Sequence, residues 1–463
     1  MKKHKKYFYG LLALVSLLIF IPFLIPTKNA KTYAESLASD VIGVPVTIGV
    51  LNIYFLPTPR VDLQQIVVGN EAIVTAESLI VIPKLWSLFT QTKTIDVKVE
   101  KPVVKKMALG ILTALINKES AEQSTVTVNI AHIKVSALQL IWPNLTLPML
   151  DARIDLTPEN QLASASLATL ATKMQTGKVT VEIAPIKTET EGAEPSKTLS
   201  VVVEADDWTL PIGLPLLIDD ARFEGSFDAG VLTFNTMNIA LYDGKVTGSA
   251  RLAIGASKPA KPWQLNGRFN IENVAVKQPS QLLNKTLYLT GDLSGKGSFS
   301  SQAKTPDLLT DYLKSDVNFN VKKGVLHGLD LVKIASLFVK QDKQGGETAF
   351  ETFSGILSAR GSNYHVHDLN ISSGLISADG AVKMNQNHQL DGLVNVAIKR
   401  SLSLVAIPLA VGGTLQSPLV YPSKAALAGA AAGTAILGPG VGTSLGIKAG
   451  GAVDTVKGWF GGD

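Results

Sequence analysis

His365 and His367 flank Val366, so on a strand both imidazoles leave by one face; with Asp368 beside them they have the spacing of a metal pair. Tyr364 and Val366 take the apolar face of that strand, which leaves both histidines on the wet one, as solvated side chains. His132 and His327 stand alone, one in a strand and one in a turn. Residues 291–298 (GDLSGKGS) have the composition of a phosphate loop but not its spacing, because Gly297 follows Lys296. The alternation around them predicts a hairpin. Asp206/Asp207 and Asp219/Asp220 lie beside turn-like segments and read as solvated turns rather than paired acids. No H-E-x-x-H and no G-x-S-x-G occurs. Cysteine is absent, which excludes disulfides, thiolate ligands and cysteine nucleophiles. These residues predict no enzyme, no metal and no cofactor.

Residues 7–27 (YFYGLLALVSLLIFIPFLIPT) form a run of 21 residues without a charge. At about 1.5 Å per residue a helix of that length crosses a hydrocarbon core of about 30 Å. Lys2, Lys3, Lys5 and Lys6 precede it and favour a cytoplasmic N-terminus, residues 1–6, with everything after Thr27 translocated. The run exceeds the roughly 7–15 apolar residues of a signal peptide, and no clear A-x-A site follows. It is therefore predicted to stay as an anchor. Hydrophobic residues make up 46% of the chain and charged ones only 17%, more apolar character than one span can explain. The rest must pack or use much apolar surface. Net charge is +5, and Lys2, Lys3, Lys5, Lys6 and Lys28 lie in or next to the anchor. The remainder is near neutral, with no nucleic-acid footprint.

Beyond the anchor, residues 28–41 predict a short amphipathic helix with Tyr33, Leu37 and Val41 on one face. The period then changes to two: Val46, Ile48 and Val50 alternate with Thr47 and Gly49, and residues 95–100 (IDVKVE) alternate without a flaw. Residues 85–89 form an apolar connector, 107–120 predict a helix, and 187–198 an exposed loop. Short strands dominate from 125 onward, interrupted by a short helix over 307–313 and an amphipathic one over 329–339. The tail, 425–451, is rich in alanine and glycine and predicts capping or interfacial contact rather than a second span. Some twenty to twenty-six strands are expected on strand-length grounds.

Alternation implies one face away from water. That face either packs in a sandwich or lines an open groove, and periodicity by itself favours the sandwich. A bare groove is costly in water, but acyl chains of a lipid would fill it, at about 0.8 kcal/mol per buried CH₂.

Four stretches carry a family resemblance. Residues 43–49 (GVPVTIG) follow the anchor and short helix. Residues 59–63 (PRVDL), Val68-Gly69-Asn70 and 95–102 come next. Residues 319–331 (FNVKKGVLHGLDL) form the third, and 353–357, 369–371, 378–380 and 412–418 (GGTLQSP) the fourth. In this order they resemble the AsmA-like proteins of Gram-negative bacteria, the second stretch being similar to a chorein-like N-terminal module. The middle, about 105–310, resembles the family in style alone.

The resemblance implies a mainly β protein: an N-terminal transmembrane helix, then an elongated, curled antiparallel β-sheet groove with a few short helices. Its segments would be a cytoplasmic tip (1–6), anchor (7–27), chorein-like module (28–104), groove middle (105–310), C-terminal domain (311–422) and tail (423–463). It also implies a single-pass inner-membrane protein with its bulk in the periplasm. Its partners would be phospholipids and the inner membrane, with the outer membrane or an envelope protein beyond. The expected groove lining is Ile95, Val97, Val99, Val126, Val128, Ile130, Val179, Val181, Ile183, Val201, Val203, Val317 and Phe319. The alternative is a periplasmic scaffold that assists outer-membrane protein assembly or envelope integrity through an exposed sheet edge.

Overall fold

The computed structural model describes residues 27–90, 92–108, 128–142, 145–172, 177–186, 198–211, 213–257, 260–337, 345–399 and 406–428. Residues 7–26 of the expected anchor (7–27), 109–120 of the expected helix (107–120), 187–197 of the expected loop (187–198) and the tail beyond 428 lie outside these residues. No helix among the described residues is long and apolar enough to cross a membrane. The chain is mainly β with few short helices, and it divides near residue 212 into two compact units, with 226–228 belonging to the first.

The first unit opens with helix α1 (Thr27–Ile42), ended by Gly43 at φ 81°. Strands β1 (Val46–Tyr54), β2 (Arg60–Val68), β3 (Val74–Pro83) and β4 (Lys93–Glu100) follow as an antiparallel meander. The apolar connector between β3 and β4 is a 3-10 turn, Leu85–Phe89. Lys101 (φ 47°) and Pro102 then break the strand, and β5 (Val103–Lys105) resumes on β3. β6 (Val128–Trp142) pairs in parallel with both β4 and β5. These pairings are parallel within a mainly antiparallel sheet, as expected for the rest of it. A parallel pairing needs a crossover of a dozen residues or more, and the chain between β5 and β6 has that length. β7 (Leu145–Thr146), β8 (Leu150–Leu156), β9 (Leu162–Thr169), β10 (Lys178–Pro185) and β11 (Leu199–Thr209) complete the unit. β8 to β11 pair antiparallel in sequence order.

β12 (Leu217–Asp228) lies at the division. The second unit continues with β13 (Val231–Leu241), β14 (Gly244–Ala253), the small ribbon β15 (Ala256–Ser257) and β16 (Ala260–Lys261), and β17 (Trp263–Ala275). Helix α2 (Lys277–Leu283) precedes β18 (Tyr288–Ala303) and β19 (Lys314–His327), and α3 (Leu331–Leu337) precedes β20 (Glu347–Arg360). β21 (Asn363–Ser372), β22 (Ile376–Met384), β23 (Leu390–Ile398), β24 (Ala406–Gly413) and β25 (Pro418–Pro422) follow. From β13 to β25, the ribbon aside, each strand pairs antiparallel with the next. A buried core forms where α3 packs: Leu331, Ile334 and Ala335 meet Ile371, Ile376, Val396 and Leu409.

Residues 291–298 are the interior of β18, not a hairpin. Gly297 opposes Phe269, and a Cβ there would lie 2.5 Å from the Phe269 ring, so the glycine makes room for an aromatic on the neighbouring strand. Asp206/Asp207 and Asp219/Asp220 are likewise strand residues, in β11 and β12, all four exposed. Asp207 at φ 48° is a kink inside a strand rather than a turn. The helix expected over 307–313 is a 3-10 turn, Pro306–Leu309.

Candidate functional site: two aliphatic rows

Strand register in the first unit collects alternate residues into rows that run across the strands. One row is Ile53, Val61, Val81, Val97, Ile133, Ile154, Ala165, Ile183 and Val201, one residue from each of nine strands. Beside it runs Leu51, Leu63, Leu79, Val99, Val135, Ala152, Leu167, Val181 and Val203. Every member is aliphatic. At about 4.8 Å per strand each row is roughly 40 Å long, and acyl chains from one leaflet fill only about half of a 30 Å core.

Exposure separates these rows from an ordinary core. Leu51 and Val201 are buried, at 8% and 6% exposure; all the other row members keep intermediate exposure. In the second unit the corresponding strand face beneath α3 is closed: Val396 and Leu409 are at 0%. The rows have the side chains of a core without its burial.

The other face of the same strands is mainly polar. Asp62, Lys98, Lys134, Arg153, Ser166 and Glu182 share one row there, interrupted by Ile80 between Asp62 and Lys98. His132 Nδ1 lies 2.6 Å from Asp155 Oδ1, and Arg153 Nε donates to the same carboxylate at 3.1 Å. The hydrogen bond with His132 is the largest cause holding the Asp155 carboxyl below the usual range; Ser164 and Arg153 add to it and burial opposes it. A depression of about 350 Å³ among Asp96, Lys98, His132, Lys134, Arg153 and Ser166 belongs to this wet side.

Of the residues expected to line a groove, Val97, Val99, Val181, Ile183, Val201 and Val203 fall in the two rows. Val179 opposes Ala205 one position beyond them. Ile95 pairs with Pro83 and Ile130, beside a register shift in β4–β6. Val128 sits at the start of β6 at 46% exposure, and Val126 lies outside the described residues. Val317 and Phe319 belong to the second unit. Val317 lies between Gly297 and Leu357. Phe319 lies between Gly295 and Gly355, its ring 5.4 Å from Phe353 and packed against the buried core. Sequence reasoning missed the other row members: Leu51, Ile53, Val61, Leu63, Leu79 and Val81 on β1 to β3, and Ile133, Val135, Ala152, Ile154, Ala165 and Leu167 on β6 to β9. The signal was there in Leu79-x-Val81, hidden by Ile80 and Ile82, which make the stretch a continuous apolar run.

On the polar face of β21, His365 and His367 have ring centroids 5.2 Å apart, and His367 Nδ1 lies 3.0 Å from Asp368 Oδ2. Burial is the largest cause lowering the His365 pKa, followed by Lys383 and His367. Among the described residues no group of three acidic or histidine side chains is placed to hold a metal.

The model of the AsmA family matches residues 212–365. This stretch is similar to the AsmA family. The matched AsmA segment takes in much of the middle, where the sequence motifs said least, together with the third stretch of resemblance and the start of the fourth. No curated protein matches the chain.

Proposed function

We propose that this AsmA-like chain is a membrane-anchored, periplasmic lipid-transfer protein. The two aliphatic rows form the inside of a curled β trough that shelters phospholipid acyl chains between inner and outer membranes. The observation that carries this reading is the pairing of pure aliphatic composition with intermediate exposure over nine consecutive strands. Water in contact with such a surface costs free energy that acyl chains recover, at about 0.8 kcal/mol per CH₂ covered. A chain of some sixteen carbons leaving a bilayer needs shelter on the order of 10 kcal/mol, and rows longer than an acyl chain can supply it without any chemical step. The polar face would stay in water.

The anchor over residues 7–27 would hold the trough at the membrane. The test is transfer of a fluorescent phospholipid between vesicles by the full-length chain. Transfer above the spontaneous rate is expected, and a folded, vesicle-bound chain that moves none would refute the reading.

A further inference from the structure

Helix α1 is turned inside out. Its Lys31, Glu35 and Ser39 recur every four residues and face the outer edge of β1. Lys31 Nζ donates to the Gly49 carbonyl at 3.2 Å, the Ile48 N–H donates to Glu35 Oε1 at 2.8 Å, and the Val46 N–H donates to Ser39 Oγ at 2.9 Å. These side chains satisfy backbone groups of an edge strand that would otherwise offer itself to other chains.

The apolar stripe is on the far side of the helix. Tyr33, Leu37 and Val41 lie about 200° around the axis from the gripping residues. They are 71%, 52% and 54% exposed. An amphipathic helix in water normally does the reverse.

Two further facts decide what covers the stripe. The uncharged run over residues 7–27 ends at the residue where α1 begins, so no linker separates the expected anchor from this helix. And the aliphatic rows start on β1, the strand α1 grips, so the outward face of α1 points away from the row ends.

We infer that α1 lies flat on the phospholipid bilayer, its Tyr33–Leu37–Val41 stripe sunk into the boundary between headgroups and acyl chains. Interfacial helices bury such a stripe about 5–10 Å deep. The helix thereby seats β1, and with it the first residues of both rows, at the membrane surface. This rests on the anchored lipid-transfer reading but adds the element that joins trough to bilayer.

The chain has no cysteine, so single cysteines can carry a nitroxide label without background. The full-length chain would be labelled through Leu37→Cys and, in a separate sample, through Leu375→Cys, an exposed leucine of the second unit at 68%. Both would be reconstituted in phosphatidylethanolamine–phosphatidylglycerol vesicles. At position 37 collisions with oxygen should exceed those with a nickel chelate several-fold, and at 375 the order should reverse. A vesicle-bound chain whose label at 37 stays aqueous overturns the inference while leaving the anchor standing. Spin–spin broadening at 37 means that a second copy covers the stripe, and also overturns it. A chain that fails to float with the vesicles overturns the anchor as well.

Discussion

Replacing Val181 by glutamate puts a carboxylate in the middle of one aliphatic row, between Leu167 and Val203. In the lipid-free chain Val181 has intermediate exposure, so water can reach the new group. The fold should then lose no more than about 1 kcal/mol, the range of strand propensities. With an acyl chain over the site the carboxylate faces hydrocarbon, at a cost of about 2.5–3.5 kcal/mol. At about 1.4 kcal/mol per tenfold, binding over that position should weaken on the order of 100-fold. The assay is phospholipid phosphorus per mole of purified full-length chain, with circular dichroism and a thermal melt as checks on folding. Val202→Lys is the matched control, because Val202 lies on the opposite face across from Glu182. Wild-type lipid content in a folded Val181→Glu chain would refute the reasoning, as would equal loss in both variants.

Four further outcomes follow from the geometry. Glu35→Ala with Ser39→Ala removes two acceptors of edge N–H groups, each worth about 0.5–1.5 kcal/mol, and should speed hydrogen exchange at Ile48 and Val46; unchanged exchange would contradict the gripping role of α1. Ile334→Ala empties a site at 2% exposure and should lower the stability of the second unit by about 2–5 kcal/mol in denaturant melts. Gly324→Ala places a Cβ 2.1 Å from the Thr290 carbonyl oxygen, so the β18–β19 pair must shift, with an expected loss of about 1–3 kcal/mol read in the same melts. Asp316 is held below the usual carboxylate range, first by the Ser358 hydroxyl and then by Arg360. Its contribution is therefore full above about pH 4 and fades as pH falls through the lower folded value. The stability difference between wild type and Asp316→Asn should shrink from pH 5 to pH 2, and a difference that ignores pH would contradict the assignment.

Alternation was legible wherever a strand has a clean polar partner at every second position. Ile95 to Glu100 and Lys178 to Ile183 are such stretches, and the register carries Val97, Val99, Val181 and Ile183 into shared rows. The period fails where both faces are apolar, as in Leu79–Ile82, and there Leu79 and Val81 went unseen. A bulge at a non-glycine residue also escapes pattern reading: Ala137 (φ 56°) sits where the register of β6 on β8 shifts, without any turn residue to announce it. The parallel pairing of β4 with β6 depends on a partner chosen across a long crossover, which no local signal specifies. Tyr33, Leu37 and Val41 were visible as a stripe, but the direction they face is set by hydrogen bonds from β1 to the other side of the helix. Phe319 alternates like a lining residue, yet the α3 core covers its neighbourhood.

The most direct test of the lipid trough is in-cell photo-crosslinking from position 181, compared with position 202 one strand away on the opposite face. Phospholipid adducts at 181 and none at 202 are the result expected of an aliphatic face that holds acyl chains. Adducts to protein alone at 181, or equal lipid labelling at both positions, would contradict it.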